Sequence, residues 1–303
     1  MSSPTAAIDL GTNTARLIIG YSESTTISRP LLIKRAITRL GGGFTREKGI
    51  SPEAYQRSLD TLRDFADEIN KYGVSSVRAV ATSAVRDAVN GPAFCADILH
   101  ETGISLEVID CREEGLITLR GVLAGIDNSD GNLLVFDVGG GSTEYTLTIG
   151  NNPVFTRSLP LGVVRLTEGK KSYTAMEDKV CRELLSLKSE IEPAMLKECN
   201  EHFTLVGTAG TATTLAAISL KLKDYDYRLV NNHSLSRDEI ENILVTLLPM
   251  TPEERLQVVG LEQGREDLII AGILITLKTM EFFDFKHLKV SDFGLLEGLL
   301  LTA

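Results

Sequence analysis

The sequence predicts an α/β protein built as two similar domains, and three observations carry that prediction. Strand and helix signals alternate along most of the 303 residues, the pattern of sheets covered by helices. A strand–turn–strand unit around Asp9, TAAIDLGTNTARLII, recurs around Asp137 as NLLVFDVGGGSTEYTLTI. A second loop then follows each aspartate at nearly constant distance: 73 residues separate Thr82 from Asp9, and 71 separate Thr208 from Asp137.

Taken in order, each half opens with an apolar strand that ends on its aspartate, a turn rich in Gly, Ser and Thr, and a second apolar strand. An amphipathic helix follows, over 52–72 in the first half and 174–196 in the second. The second loops, SVRAVATSAVRDA and FTLVGTAGTATTLAA, each read as a buried strand, a small-residue turn and a helix start. Duplication of this kind predicts two domains whose equivalent loops converge on an interdomain cleft, where ligands bind. The expected boundaries are 1–120 for the first domain, with the C-terminal helix 294–303 as a candidate addition to it, and 121–303 for the second. A helix over 112–124 is the expected bridge.

The bulk properties narrow the partners. A net charge of -10 and a pI near 5.0 argue against general nucleic-acid binding, which rests on clustered Lys and Arg. The stretch from Arg29 to Lys48 is the exception, with Lys34, Arg35, Arg39 and Arg46 opposed by Glu47 alone. It reads equally as a guide for a polyanion or as a solvated strand and loop. The four cysteines, Cys95, Cys111, Cys181 and Cys199, form no C-x-x-C pair and read as reduced interior thiols. The N-terminus lacks a signal pattern, and the apolar run over 268–277 is too short to span a bilayer, so no membrane partner and a cytoplasmic location are expected.

The chemistry lies in the loops. Glycine lets backbone N–H groups turn toward a ligand, and Ser or Thr hydroxyls add donors, so Gly11, Thr12, Asn13 and Thr14 suit phosphate oxygens, as do Gly139, Gly140, Gly141, Ser142 and Thr143. A single such loop would be read as a tight hairpin turn. Asp9 and Asp137 strengthen the phosphate reading, because a carboxylate ending an apolar strand needs a partner, and a divalent metal supplies one. Mg²⁺ suits an all-oxygen site, with Mn²⁺ as the alternative, and His100, His202, His233 and His287 show no ligand spacing for zinc. Glu113, Glu114 and Glu144 are the candidates for orienting or deprotonating water. Adjacent helical residues point apart, so one of Glu113 and Glu114 faces the ligand. No P-loop, G-x-G-x-x-G or G-x-S-x-G signature is present, which disfavours dinucleotide and serine-hydrolase chemistry.

AAIDLGTNTARLII, ATSAVRDA, CREEGLITLRGV, LLVFDVGGGSTEYTL, LPLGVVRLTEG, VGTAGTATTLAA and VSDFGLLEGLL run in order through the chain. Together they resemble the exopolyphosphatase and guanosine pentaphosphate phosphohydrolase family, within the actin, sugar kinase and Hsp70 superfamily. The resemblance implies two ribonuclease-H-like domains and Mg²⁺-dependent release of orthophosphate from the end of inorganic polyphosphate, or from pppGpp to leave ppGpp. It implies that Glu114 is the catalytic base and that Asp137 and Glu144 are metal and catalytic carboxylates; Asp9 is expected as a further metal ligand from its place at the strand end. Asp9, Gly11, Thr12, Asn13, Thr14, Arg86, Gly139, Gly140, Gly141, Ser142 and Thr143 take the phosphate-binding roles. Gly207, Thr208, Gly210 and Thr211 form the loop toward a nucleotide or the distal phosphates.

Two positions depart from the family pattern: Cys111 stands where Ser or Gly is common, and Gly115 follows the paired acids where Ala is usual. The chain ends shortly after GLLEGLL, where longer members continue into helical domains, so a minimal two-domain form is expected, with a homodimer among the family's assemblies. The rival readings are an ATP-dependent small-molecule kinase or ATPase of the same superfamily, and a non-catalytic guanosine-nucleotide sensor.

Overall fold

A computed structural model describes residues 3–23, 26–27, 30–45, 47–127, 131–170, 172–197 and 202–302. Arg29, Arg46 and Cys199 lie outside the described residues. The chain is mixed α/β with two main sheets, and it divides into two compact units, Met1–Ala124 with Gly294–Ala303, and Gly125–Phe293. The first unit therefore runs past position 120 and takes in residues 294–303.

In the first unit, strands β1 (Thr5–Leu10) and β2 (Thr14–Gly20) form the hairpin around Asp9, followed by the short pair β3 (Ser22–Glu23) and β4 (Thr26–Ile27) and by β5 (Leu32–Ile37). Helix α1 (Pro52–Lys71) starts at Ser51, whose side chain accepts the Ala54 amide, with Pro52 in the first turn. Then come β6 (Ser76–Ala81), α2 (Ser83–Arg86), α3 (Gly91–Thr102), β7 (Leu106–Val108) and α4 (Cys111–Gly125). The sheet order is β5-β2-β1-β6-β7, with β1 antiparallel to β2 and parallel to β6. Alternation along β1 sends Ala6, Ile8 and Leu10 into a core with α1 and α3, and Ala7 into a second core with Ile117 and leucines of α12 (Leu295–Leu300). Asp9 shares its strand face with Ala7, so the strand period alone turns its carboxylate toward the side covered by α4 and α12.

The second unit repeats the plan. Strands β8 (Asn132–Val138), β9 (Thr143–Ile149) and β10 (Asn152–Leu159) form a meander, followed by α5 (Val163–Gly169), α6 (Tyr173–Lys197), β11 (Phe203–Thr208) and α7 (Ala209–Ser219). Beyond them lie α8 (Tyr227–Val230), β12 (Ser234–Ser236), α9 (Arg237–Leu247), α10 (Pro252–Arg255), α11 (Ile269–Phe282) and β13 (His287–Val290). The order is β10-β9-β8-β11-β13-β12, with β8 parallel to β11. Leu134, Phe136, Val138, Tyr145 and Leu147 fill one face with α6, α7 and α11, while Glu144, Thr146 and Thr148 form a buried polar stripe on the other. The apolar run over 268–277 becomes α11, buried inside this core. Among the described residues no helix is long and apolar enough to cross a membrane.

Candidate active site

Each aspartate stands one residue before the end of its strand, at the mouth of a turn of the same kind. The Gly11 amide donates to the Thr14 carbonyl at 3.0 Å, and the Gly139 amide donates to the Ser142 carbonyl at 3.0 Å, so the two loops are built alike. Each loop is also held from behind by a later glycine segment. In the first unit the amides of Arg39 and Gly41 donate to the carbonyls of Asn13 and Thr12, both at 2.8 Å. In the second, the amides of Val163 and Val164 at the start of α5 donate to the carbonyls of Gly139 and Gly140, both at 3.0 Å. Carbonyls drawn back in this way leave the loop free to present N–H groups on its other side, the arrangement an anion needs.

The bracing is tight. A Cβ at Gly162 would lie 2.2 Å from the Gly140 carbonyl oxygen, and one at Gly41 would lie 2.3 Å from Thr12 Cγ2. Thr143 donates its hydroxyl to the Leu161 carbonyl, and Thr12 shares a buried hydroxyl–hydroxyl bond of 2.8 Å with Ser83 in the second loop of its unit. The amide oxygen of Asn13, a residue 7% exposed, has no hydrogen-bond partner among the described residues.

The carboxylates differ between the copies. Asp137 and Glu144 are direct cross-strand partners on β8 and β9, so both side chains stand on one face, and Glu144 Oε1 accepts the Ser158 hydroxyl at 2.7 Å. Like charges in that relation repel unless a cation or proton lies with them. Asp9 instead faces Arg16 on β2. Burial pushes the Asp9 carboxyl up to about 6; Arg16 opposes that rise and Glu297 adds to it.

The paired acids of CREEG separate as adjacent helical residues do. Glu114 is buried and its Oε2 accepts from Arg86 Nη1 at 3.1 Å, while Arg86 also donates to the Ile109 carbonyl at 2.9 Å. Glu113 is partly exposed and pairs with Arg78 at 3.1 Å. Arg86 is thus brought to Glu114 within the first unit. In the expected distal loop, the Thr208 hydroxyl donates to the Phe293 carbonyl, Gly207 is wedged beside Phe136 and Leu288, and Thr211 is buried against Gly272. Gly210 lies under the Arg265 guanidinium. In the basic stretch, Lys34 is taken by Glu68 at 2.8 Å and Arg35 is exposed.

Sequence reasoning passed over Arg16, Glu297, Ser158 and the bracing glycines Gly41 and Gly162. A signal for Arg16 existed: it stands seven residues after Asp9, as Glu144 stands seven after Asp137. Among the described residues no group of three or more His, Cys, Asp or Glu is placed to hold a metal ion. Asp137 and Glu144 supply a pair.

The family model described as the Ppx/GppA phosphatase family matches residues 21–303. The chain belongs to that family. This Ppx/GppA chain is 32% identical over 313 residues to a protein named Exopolyphosphatase 2 from Mycobacterium tuberculosis, covering 98% of this chain and 97% of that one. It is also 32% identical over 310 residues to a Fusobacterium nucleatum protein named bifunctional 3-dehydroquinate synthase/phosphatase, but spans 46% of that protein's length. Among solved structures, an exopolyphosphatase from Cytophaga hutchinsonii matches with a TM-score of 0.88 at 28% identity, covering 99% of this chain and 97% of that one. The Aquifex aeolicus PPX-GPPA enzyme matches with a TM-score of 0.80 at 33% identity, covering 99% of each.

Proposed function

We propose that this family member hydrolyses the terminal phosphoanhydride bond of inorganic polyphosphate, releasing orthophosphate, and that pppGpp is a second substrate for the same loops. The observation that carries the proposal is the cross-strand pair Asp137 and Glu144 at the mouth of a glycine loop whose carbonyls are tied back. Two oxygen-only carboxylates on one face fit Mg²⁺, which takes one or two carboxylates and leaves its other positions to phosphate oxygens and water. Held by Asp137 and Glu144, such an ion would supply neutralisation of the phosphate charge.

The chain's own residues have the remaining roles in this proposal. The loop of Asp137–Thr143 offers the terminal phosphoryl group its backbone amides and the Ser142 hydroxyl, and the loop of Asp9–Thr14 offers phosphate oxygens its amides and the hydroxyls of Thr12 and Thr14. Glu114, buried and oriented by Arg86, takes a proton from the attacking water. The partnerless amide oxygen of Asn13 suits a water donor, since a buried acceptor without a bond is costly.

Phosphate release from short polyphosphate, long polyphosphate, pppGpp and ATP, each with Mg²⁺, tests it. Expected is release from a polyphosphate or pppGpp without any acceptor, and a fall of about 100-fold or more in kcat for Glu114→Gln with binding retained. Release from ATP alone and dependent on an acceptor would identify a kinase. Binding of pppGpp without turnover would identify a sensor.

A further inference from the structure

The two copies diverge at one registered position: the partner of the loop aspartate is Glu144 in one and Arg16 in the other. The second copy sets two acids opposite each other, whereas the first sets an arginine opposite its acid. Arg16 is in turn held by a residue from the far end of the chain. Its Nη2 donates to Glu297 Oε1 at 3.3 Å, and Glu297 Oε2 accepts the Gly294 amide at 2.8 Å.

Glu297 is 5% exposed, and its helix has little freedom. Leu295, Leu296, Leu299 and Leu300 of α12 pack with Ala7, Ile18 and Ile117. Glycines set the crossing with α4: a Cβ at Gly298 would lie 2.0 Å from the Ile117 carbonyl oxygen, and one at Gly121 would lie 1.9 Å from that of Gly294. A buried carboxylate is costly where a leucine would serve for packing, so its retention at this place asks for a use. That use is visible in the geometry. Arg16 is the cross-strand partner of Asp9 on its own sheet and is bonded to Glu297 on α12.

We propose that Glu297 is a positioning residue, which holds the Arg16 guanidinium off Asp9 so that it meets the charge developing on the phosphoryl oxygens. The proposal rests on the phosphoanhydride reading above. Without the Glu297 charge, Arg16 closes on Asp9 and its charge is spent inside the protein. Removing that negative charge also favours an anion in the ground state, so loss of position and gain of net charge oppose each other in binding but not in turnover.

The test uses the full chain with Mg²⁺, measuring kcat and KM on short polyphosphate, the Kd of the non-hydrolysable analogue imidotriphosphate, and Tm. Glu297→Gln keeps an amide oxygen for the Gly294 N–H. It is expected to lower kcat about tenfold or more while Kd moves less than about threefold and Tm stays near wild type. Glu297→Asp recovers part of kcat. Arg16→Gln lowers kcat by a similar factor and weakens Kd about tenfold, and adding Glu297→Gln to it costs nothing further, because the second residue acts through the first.

A Glu297→Gln enzyme with kcat within about twofold of wild type overturns the proposal, as do losses that multiply in the double variant. Should Glu297→Gln fail to fold, the same comparison is made with Glu297→Asp, and an undiminished kcat there together with an undiminished Arg16→Gln enzyme overturns it. If the wild type releases no phosphate from polyphosphate or pppGpp, the functional reading falls. The imidotriphosphate Kd then decides the inference: a Kd unchanged in Arg16→Gln overturns it as well, and a weakened one leaves Arg16 as an anion grip.

Discussion

Asp137 and Glu144 face each other across β8 and β9, with Ser158 on β10 donating to Glu144 at 2.7 Å. Two carboxylates fixed on one sheet face are the ligands the proposed Mg²⁺ would use. Asp137→Asn and Glu144→Gln are each expected to raise the Mg²⁺ concentration for half-maximal phosphate release by about tenfold or more. In the presence of a chelator, each variant should melt no lower than wild type, because one of two like charges is gone. Magnesium titration of activity and melting curves in EDTA check both statements; unchanged magnesium dependence in both variants would remove the pair as the metal site.

The brace on the second loop has no room for a side chain. Gly162→Ala would force a methyl to within 2.2 Å of the Gly140 carbonyl oxygen, a backbone atom that moves only with the loop. A stability loss of about 1–3 kcal/mol is expected, with phosphate release falling by a larger factor than the folded fraction. Gly41→Ala meets Thr12 Cγ2 at 2.3 Å, a side-chain atom that can rotate away, so its effect should be smaller. Urea denaturation with parallel kinetics compares the two.

Burial raises the Asp9 carboxyl to about 6 in the folded protein, from an ordinary value of 3.8. Below the lower value both states hold the proton and the residue contributes nothing. Between the two values the unfolded chain loses the proton first, so stability falls as pH rises, and above about 6 a constant penalty remains. Asp9→Asn is therefore expected to stabilise the metal-free protein by about 1–2 kcal/mol at pH 7, and by nearly nothing at pH 3. Denaturation in EDTA at the two pH values measures the difference; an equal gain at both would point to hydrogen bonding and away from charge.

Much of the fold was legible because it is written twice. The recurrence of Asp9 and its turn at Asp137, and of Thr82 at Thr208, marks strand–loop–strand units, and the expected helices over 52–72 and 174–196 correspond to α1 and α6. Local signals sufficed there, since period and turn chemistry act over a few residues. They also sufficed to say that Glu113 and Glu114 point apart. Which of the two is buried depends on Arg86 and Arg78, residues from a different strand and turn.

The sequence by itself determined the family, the α/β class, the duplication and the residue types in the two loops. Tertiary structure decided what each charge faces. Strand register set Asp137 against Glu144 and Asp9 against Arg16, and the docking of α12 brought Glu297 across 281 positions of chain to Arg16. Register and docking are settled by the packing of whole faces, Leu295, Leu296, Leu299 and Leu300 against β1 and β2, and no local pattern around Glu297 encodes them. The carboxylate's partner is fixed by where those leucines go.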